Sequence, residues 1–149
     1  MFEPEVIKMI GMGILETLYM VFLSSAISYI IGLPLGIILV ITDKNGIYPI
    51  VVINKVLGFI VNVVRSVPFI ILLITILPFT RLVAGTTYGA NATVVPLIVS
   101  AAPFVARMVE ASIKEVPEGV IEAAKAMGAS TFQIIWKVLI PEAMPSLIT

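Results

Sequence analysis

The apolar residues of this chain fall into long runs cut by short polar interruptions, and the length of each run limits what it can form. Glu16 and Asp43 bracket 26 residues without a charge, more than the ~20 a helix needs to cross the hydrocarbon core of a bilayer. A first membrane span is therefore expected over about residues 17–42. Gly32, Pro34 and Gly36 lie inside it, which a membrane helix tolerates because neighbours re-satisfy freed backbone groups. Ser24, Ser25, Ala26 and Ser28 offer a small-residue face for close packing. Met1 to Glu16 carry Glu3, Glu5 and Glu16 against Lys8 and lack the positive start of a cleaved signal peptide. They read as a lead-in to the span, although Ile7, Met9 and Ile10 would also suit an amphipathic anchor.

Thr42-Asp43-Lys44-Asn45-Gly46 has the chemistry of a turn. The next apolar run is interrupted by Lys55 and Arg65, and Ser66 to Thr80 supplies only 15 uncharged residues, which is ~22 Å of helix against a core of ~30 Å. The expectation is an elbow helix over about 49–64 leading into a second span at 66–80, with Arg65 snorkelling to the interface. An Arg65 in mid-membrane, lining a pathway, is the alternative. Arg81 and Arg107 bracket 25 more uncharged residues that open with the polar stretch Gly85 to Asn91. A third span is expected at about 92–108, kinked at Pro96 and Pro103.

Beyond Glu110 the pattern changes, because Glu110, Lys114, Glu115, Glu118, Glu122 and Lys125 recur every few residues and such a segment cannot cross a bilayer. It reads as a helical hairpin over about 112–145. Pro117 suits a first helical position, Glu118 complements the positive helix start, and Gly128 stands where a helix ends left-handed. Ser130 with Gln133 has the spacing of a capping box. Phe132, Ile135, Trp136 and Leu139 share one face, and Pro141 and Pro145 are expected to end the second helix. Lys114 reads as an exposed cation. Ser146 to Thr149 looks like the approach to a further span.

Cation placement orients the chain. If the loop at Lys44 is cytoplasmic, seven of the nine cations lie inside and only Lys8 and Arg81 outside, as the positive-inside rule asks. The N-terminus is then external. Composition agrees with a bilayer solvent: of 149 residues 60% are hydrophobic and 12% charged, with a mean hydropathy of +1.16. Zero net charge gives no global field for nucleic acid. Without cysteine or histidine the chain lacks disulfides, thiol nucleophiles, most zinc sites and the commonest general base. Gly11-Met12-Gly13 is half a dinucleotide fingerprint without its context, and no Walker sequence is present. Asp43 is the one aspartate, and no carboxylate pair is placed for acid–base work. No catalytic, cofactor or metal residues are expected.

The informative constellation is Glu122-Ala123-Ala124-Lys125-Ala126-Met127-Gly128, followed after twelve residues by Pro141. It resembles the EAA loop of ABC importer permeases, with Glu122, Ala123, Ala124, Gly128 and Pro141 on the pattern and Val138 and Ile140 as conservative departures. Arg65-Ser66-Val67-Pro68-Phe69, Pro78-Phe79-Thr80-Arg81 and Ala102 to Glu110 look most like the permeases of methionine-uptake transporters, although the related polar-amino-acid permeases share the Arg-x-x-Pro. The resemblance implies an all-α polytopic membrane protein of five spans, of which a C-terminally incomplete chain of 149 residues shows three. It implies a transport subunit, not an enzyme, moving methionine in D- or L-form, or a similar amino acid, by alternating access in the cytoplasmic membrane of a prokaryote. The implied partners are a cytosolic ATP-binding subunit, an external substrate-binding lipoprotein, a second permease copy and membrane lipid, without nucleic acid. Glu122, Ala123, Ala124, Met127, Gly128 and Pro141 would form the ATPase-coupling loop, with no substrate residues named. The physical logic stands beside the family: small alanines permit close approach, Met127 offers an adaptable apolar knob, and Gly128 lets the chain reverse. Alternatives are a permease for another small solute, a membrane scaffold in which the hairpin only ties spans together, and an intramembrane enzyme, which the missing histidines and cysteines disfavour.

Overall fold

The structure, a computed structural model, describes residues 3–149; Met1 and Phe2 of the expected lead-in lie outside the described residues. Among the described residues every regular element is helical. The first, α1 (Pro4–Ile41), starts on a proline, where a missing N–H costs nothing because the first turn has no acceptor for it. The lead-in is therefore part of the same helix. Its 38 residues make a rod of ~57 Å, well beyond the ~30 Å of a hydrocarbon core.

The partner of α1 is α5 (Ala90–Lys114). Tyr19 donates its hydroxyl to Asn91 Oδ1 at 2.8 Å, Gly32 faces Ala102 and Val105, Gly36 faces Ala106 and Val109, and Asp43 pairs with Lys114. The sequence offset between partners is nearly constant, so the two helices run parallel and in register. The contact is close because Ser24, Ser28, Gly32 and Gly36, every fourth residue of α1, are buried, the spacing of a small-residue stripe. Before Tyr19, α1 projects past the start of α5 with its side chains exposed, Val6 alone being half-buried. The kinks expected at Pro96 and Pro103 do not break α5, which stays helical through both and continues past 108 to Lys114.

Two parallel neighbours need a return path, and α2 (Val51–Ser66), α3 (Phe69–Thr75) and α4 (Leu77–Ala84) supply it. Asn54 fastens the start of α2 to the end of α1, its Nδ2 donating to Leu39 O at 2.6 Å. Val61 then packs with Leu39 and Ala106. The segment read as an elbow, 49–64, is helical from Val51 onward, as part of α2. A bend of 107° separates it from α3; Val67 there is extended (φ −80, ψ 125), as the residue before a proline prefers. The segment read as a second span is divided at Ile76, with Pro78 in the first turn of α4. By length and composition α1 and α5 can each cross a membrane, and the bent pair α2 and α3 meets the same test together.

The hairpin consists of α6 (Glu118–Ala126), α7 (Thr131–Ile134), a π-helical turn (Ile135–Leu139) and α8 (Ile140–Ile148). Val116, Ala124, Ile134, Leu139 and Ala143 form one buried cluster with Ile37 of α1 and Val105, Val109 and Ile113 of α5. Two sequence expectations need correction. Pro117 is the N-cap of α6 (φ −58, ψ 137), not its first helical residue. Pro141 does not end the second helix. It has no N–H for Lys137 and its ring would press on that carbonyl, so the preceding turn widens, with the Ile140 N–H donating to Ile135 O. The helix passes through Pro141 and on through Pro145.

Candidate functional site

The site is built on the reversal between α6 and α7. Gly128 has φ +79, the left-handed conformation that closes α6. Its N–H donates to Lys125 O at 2.9 Å, and the Ala129 N–H donates to Ala124 O at 3.1 Å. These two bonds form a Schellman closure and satisfy carbonyls the helix end would otherwise leave open. Ser130 then starts α7 with a reciprocal cap: its N–H donates to Gln133 Oε1 at 2.9 Å, and the Gln133 N–H donates to Ser130 Oγ at 3.3 Å. The turn is thus fixed by backbone bonds on the α6 side and by a reciprocal side-chain cap on the α7 side.

This geometry sorts the six residues singled out in the sequence. Ala124 is buried beneath α6 and anchors it to the core. Glu122, Ala123, Met127, Gly128 and Pro141 are exposed. Met127 stands 82% exposed at the tip, and Phe132 on α7 and Trp136 in the π-helical turn follow at 68% and 54%, their ring centroids 6.0 Å apart. Nothing in the chain lies within 4 Å of where a Cβ on Gly128 would be, so its surface is open to an approaching backbone. Pro141 shapes the π-helical turn behind this surface. Glu122 also lines an open cleft of ~550 Å³ with Asp43, Lys114, Glu118 and Lys125.

Sequence reasoning missed a polar chain under the hairpin. Lys114 is not a free exposed cation: its Nζ lies 2.8 Å from Glu110 Oε1 and 3.1 Å from Asp43 Oδ2. The hydrogen bond from Lys114 is the main reason the Asp43 carboxyl sits below its ordinary range, against a smaller opposing effect of desolvation. Glu110 also accepts from Arg107, whose other nitrogen donates to α2. The available signal was the spacing Arg107, Glu110, Lys114, which places all three on one helical face. Among the described residues no group of three His, Cys, Asp or Glu side chains is placed to hold a metal. The arrangement suits a docking surface better than a reaction centre.

Residues 32–149 match the family described as binding-protein-dependent transport system inner membrane component. The probable D-methionine transport system permease protein MetI of Pasteurella multocida (strain Pm70) is 50% identical over 97% of this chain and 67% of its own length. The D-methionine transport system permease protein MetI of Escherichia coli (strain K12) is 49% identical over 91% of this chain and 63% of its own. A chain of the MetNI methionine ABC transporter, solved in inward facing conformations, superposes with a TM-score of 0.95 at 46% identity, covering 99% of this chain and 68% of that one. This chain thus spans about two thirds of the length of the proteins it resembles. With the family match running through α5 and the whole hairpin, the chain belongs to the binding-protein-dependent transport system inner membrane components.

Proposed function

We propose that the chain is the membrane-spanning permease part of an ATP-driven importer for methionine or a similar amino acid, and that the tip of the hairpin couples it to a separate ATPase. The observation that carries this reading is mechanical. An exposed apolar tip, Met127 with Phe132 and Trp136, sits on a rigid turn whose underside shares one core with α1 and α5. A partner that grips the tip moves both long helices, which is how a closing ATPase could switch the accessible side of a pathway. The substrate class is supported by the names of the relatives, which are methionine permeases, and by the likeness to a methionine ABC transporter. On this reading the partners are a cytosolic ATP-binding subunit, a second permease copy, an external substrate-binding lipoprotein and lipid. The hairpin faces the cytoplasm and the N-terminus is external, with spans at about 17–42, 66–80 and 92–108. Glu122, Ala123, Ala124, Met127, Gly128 and Pro141 form the coupling loop.

The test is to disturb the tip without disturbing the core. Met127→Asp places a charge where an apolar groove would desolvate it. Gly128→Val puts a branched residue at positive φ, a strain of ~1 kcal/mol or more. Both variants should insert normally and lose ATPase co-purification and methionine uptake. Glu115→Gln, at an exposed position away from the tip, is the control and should leave both unchanged; Lys114 cannot serve, because it bridges Asp43 and Glu110. Normal assembly and uptake in both tip variants would reduce the hairpin to a structural tie.

A further inference from the structure

The hairpin shares its core with the ends of α1 and α5, so it and α5 form one body. How a displacement passes on to α2 is a separate question, because α2 meets that body through one hydrogen bond at its start, from Asn54 to Leu39 O, and an apolar contact of Leu57 and Val61 with Leu35, Leu39 and Ala106. Beside this contact lies Arg107, whose side chain is only 25% exposed. One nitrogen of its guanidinium pairs with Glu110 on α5. The other reaches across to α2 and donates to Gly58 O at 3.2 Å and to Asn62 Oδ1 at 2.9 Å. Glu110 is held in turn by Lys114, and Lys114 by Asp43 in the loop that leads to α2. Further along α2 the Arg65 guanidinium lies 6.0 Å from the ring centroid of Phe104 on α5, within cation–π range. A continuous line of charge-assisted contacts therefore runs from Asp43 in the loop after α1, through Lys114, Glu110 and Arg107 on α5, to Gly58 and Asn62 on α2, with the Arg65–Phe104 contact as a separate tie.

We propose that Arg107 is a positioning residue that locks α2 to α5, so that a displacement of the hairpin reaches α2 and the bend at Val67-Pro68 as one rigid-body movement. Its use in transport rests on the function proposed above. The rigid planar fork of arginine suits the task, because it holds acceptors on two helices in fixed directions; a lysine ammonium is a single rotatable point charge. Two apolar surfaces in contact can slide, whereas a guanidinium shared between Glu110, Gly58 and Asn62 resists sliding.

The chain has no cysteine, so spin labels can be placed on introduced cysteines at Phe59 of α2 and Met108 of α5, both exposed. In nanodiscs, with no partner added, the full chain should give one narrow distance between them. Arg107→Lys keeps Glu110 paired, so no buried charge is left alone, but it loses the fork. Asn62→Ala removes an exposed acceptor and leaves the core intact. Both should broaden the distance distribution. In the complex with the ATPase both should also lower uptake per ATP hydrolysed by about threefold or more, with assembly unchanged. Distributions as narrow as the parent in both variants, or an unchanged uptake per ATP in both, would overturn the clamp. The distance measurement on the chain alone decides the role of Arg107 whether or not a complex forms, so a failure of the clamp and a failure of the transport reading stay distinguishable.

Discussion

At the scale of single residues, the close approach of α1 to α5 depends on what is absent. A Cβ added at Gly36 would lie 2.6 Å from Ala106 O and from Val109 Cβ, and one at Gly32 would lie 2.7 Å from Val105 Cβ and 2.9 Å from Ala102 O. A backbone carbonyl cannot turn aside as a side chain can, so a larger residue must push the two helices apart. Gly36→Val should therefore cost ~1–3 kcal/mol by overpacking. Gly11 of the same helix has nothing within 4 Å of its would-be Cβ, and Gly11→Ala should be neutral or slightly stabilising through helix propensity. Thermal unfolding in detergent, followed by circular dichroism, compares the two. Equal shifts in midpoint would show that the contact at Gly36 is not a packing limit. Of the small residues read in the sequence as a packing face, Ser24 and Ser28 are buried but Ser25 and Ala26 are exposed, while Gly32 and Gly36, read only as tolerated in a membrane helix, complete the buried stripe. The partners of that stripe were not legible. Ala102 and Ala106 lie about seventy residues away, and no local pattern reports a contact that only the fold creates.

At the scale of elements, the hairpin shows which signals are readable. Its start and reversal depend on local backbone chemistry, so Gly128 and the Ser130/Gln133 pair were recognisable from type and spacing, and both behave as expected. Pro141 was misread for the opposite reason. A proline usually ends a helix, but here the loss of its hydrogen bond is absorbed by a π-helical turn, and what holds that turn is the burial of Leu139 and Ala143 against distant elements. Tertiary packing overrode a local rule. Since α7 has only four residues, it cannot nucleate unaided and depends on its cap. Ser130→Ala should free the Gln133 amide and cost ~1 kcal/mol, seen as a roughly fivefold faster hydrogen exchange there if that loss is expressed as local opening. Ser130→Asp, which can accept the same bond, should restore the slow rate. If Ser130→Ala exchanged no faster than the parent, the cap would be incidental and the core alone would hold α7.

At the scale of the whole molecule, the parallel pairing of α1 and α5 makes a claim about sidedness that does not depend on charge counting. Asp43 and Lys114 meet at one end, and Tyr19 and Asn91 at the other. The loop at Asn45 and the hairpin at Lys125 must then lie on one side of the membrane, and the turn at Thr87, between α4 and α5, on the other. Charge adds the absolute direction, because seven of nine cations share the side of Asn45 and Lys125 in the sequence reading. All three positions are exposed, and the chain has no native cysteine to confuse labelling. Single cysteines at Asn45, Lys125 and Thr87 should therefore divide cleanly. In intact cells an impermeant thiol reagent should label Thr87→Cys and spare the other two until the membrane is opened. The possible failures are distinguishable. Labelling of Asn45→Cys and Lys125→Cys with protection of Thr87→Cys would keep the fold and invert its orientation. Labelling of Asn45→Cys with protection of Lys125→Cys would put the two ends of the pair on opposite sides, and the parallel packing of α1 on α5 would itself be wrong.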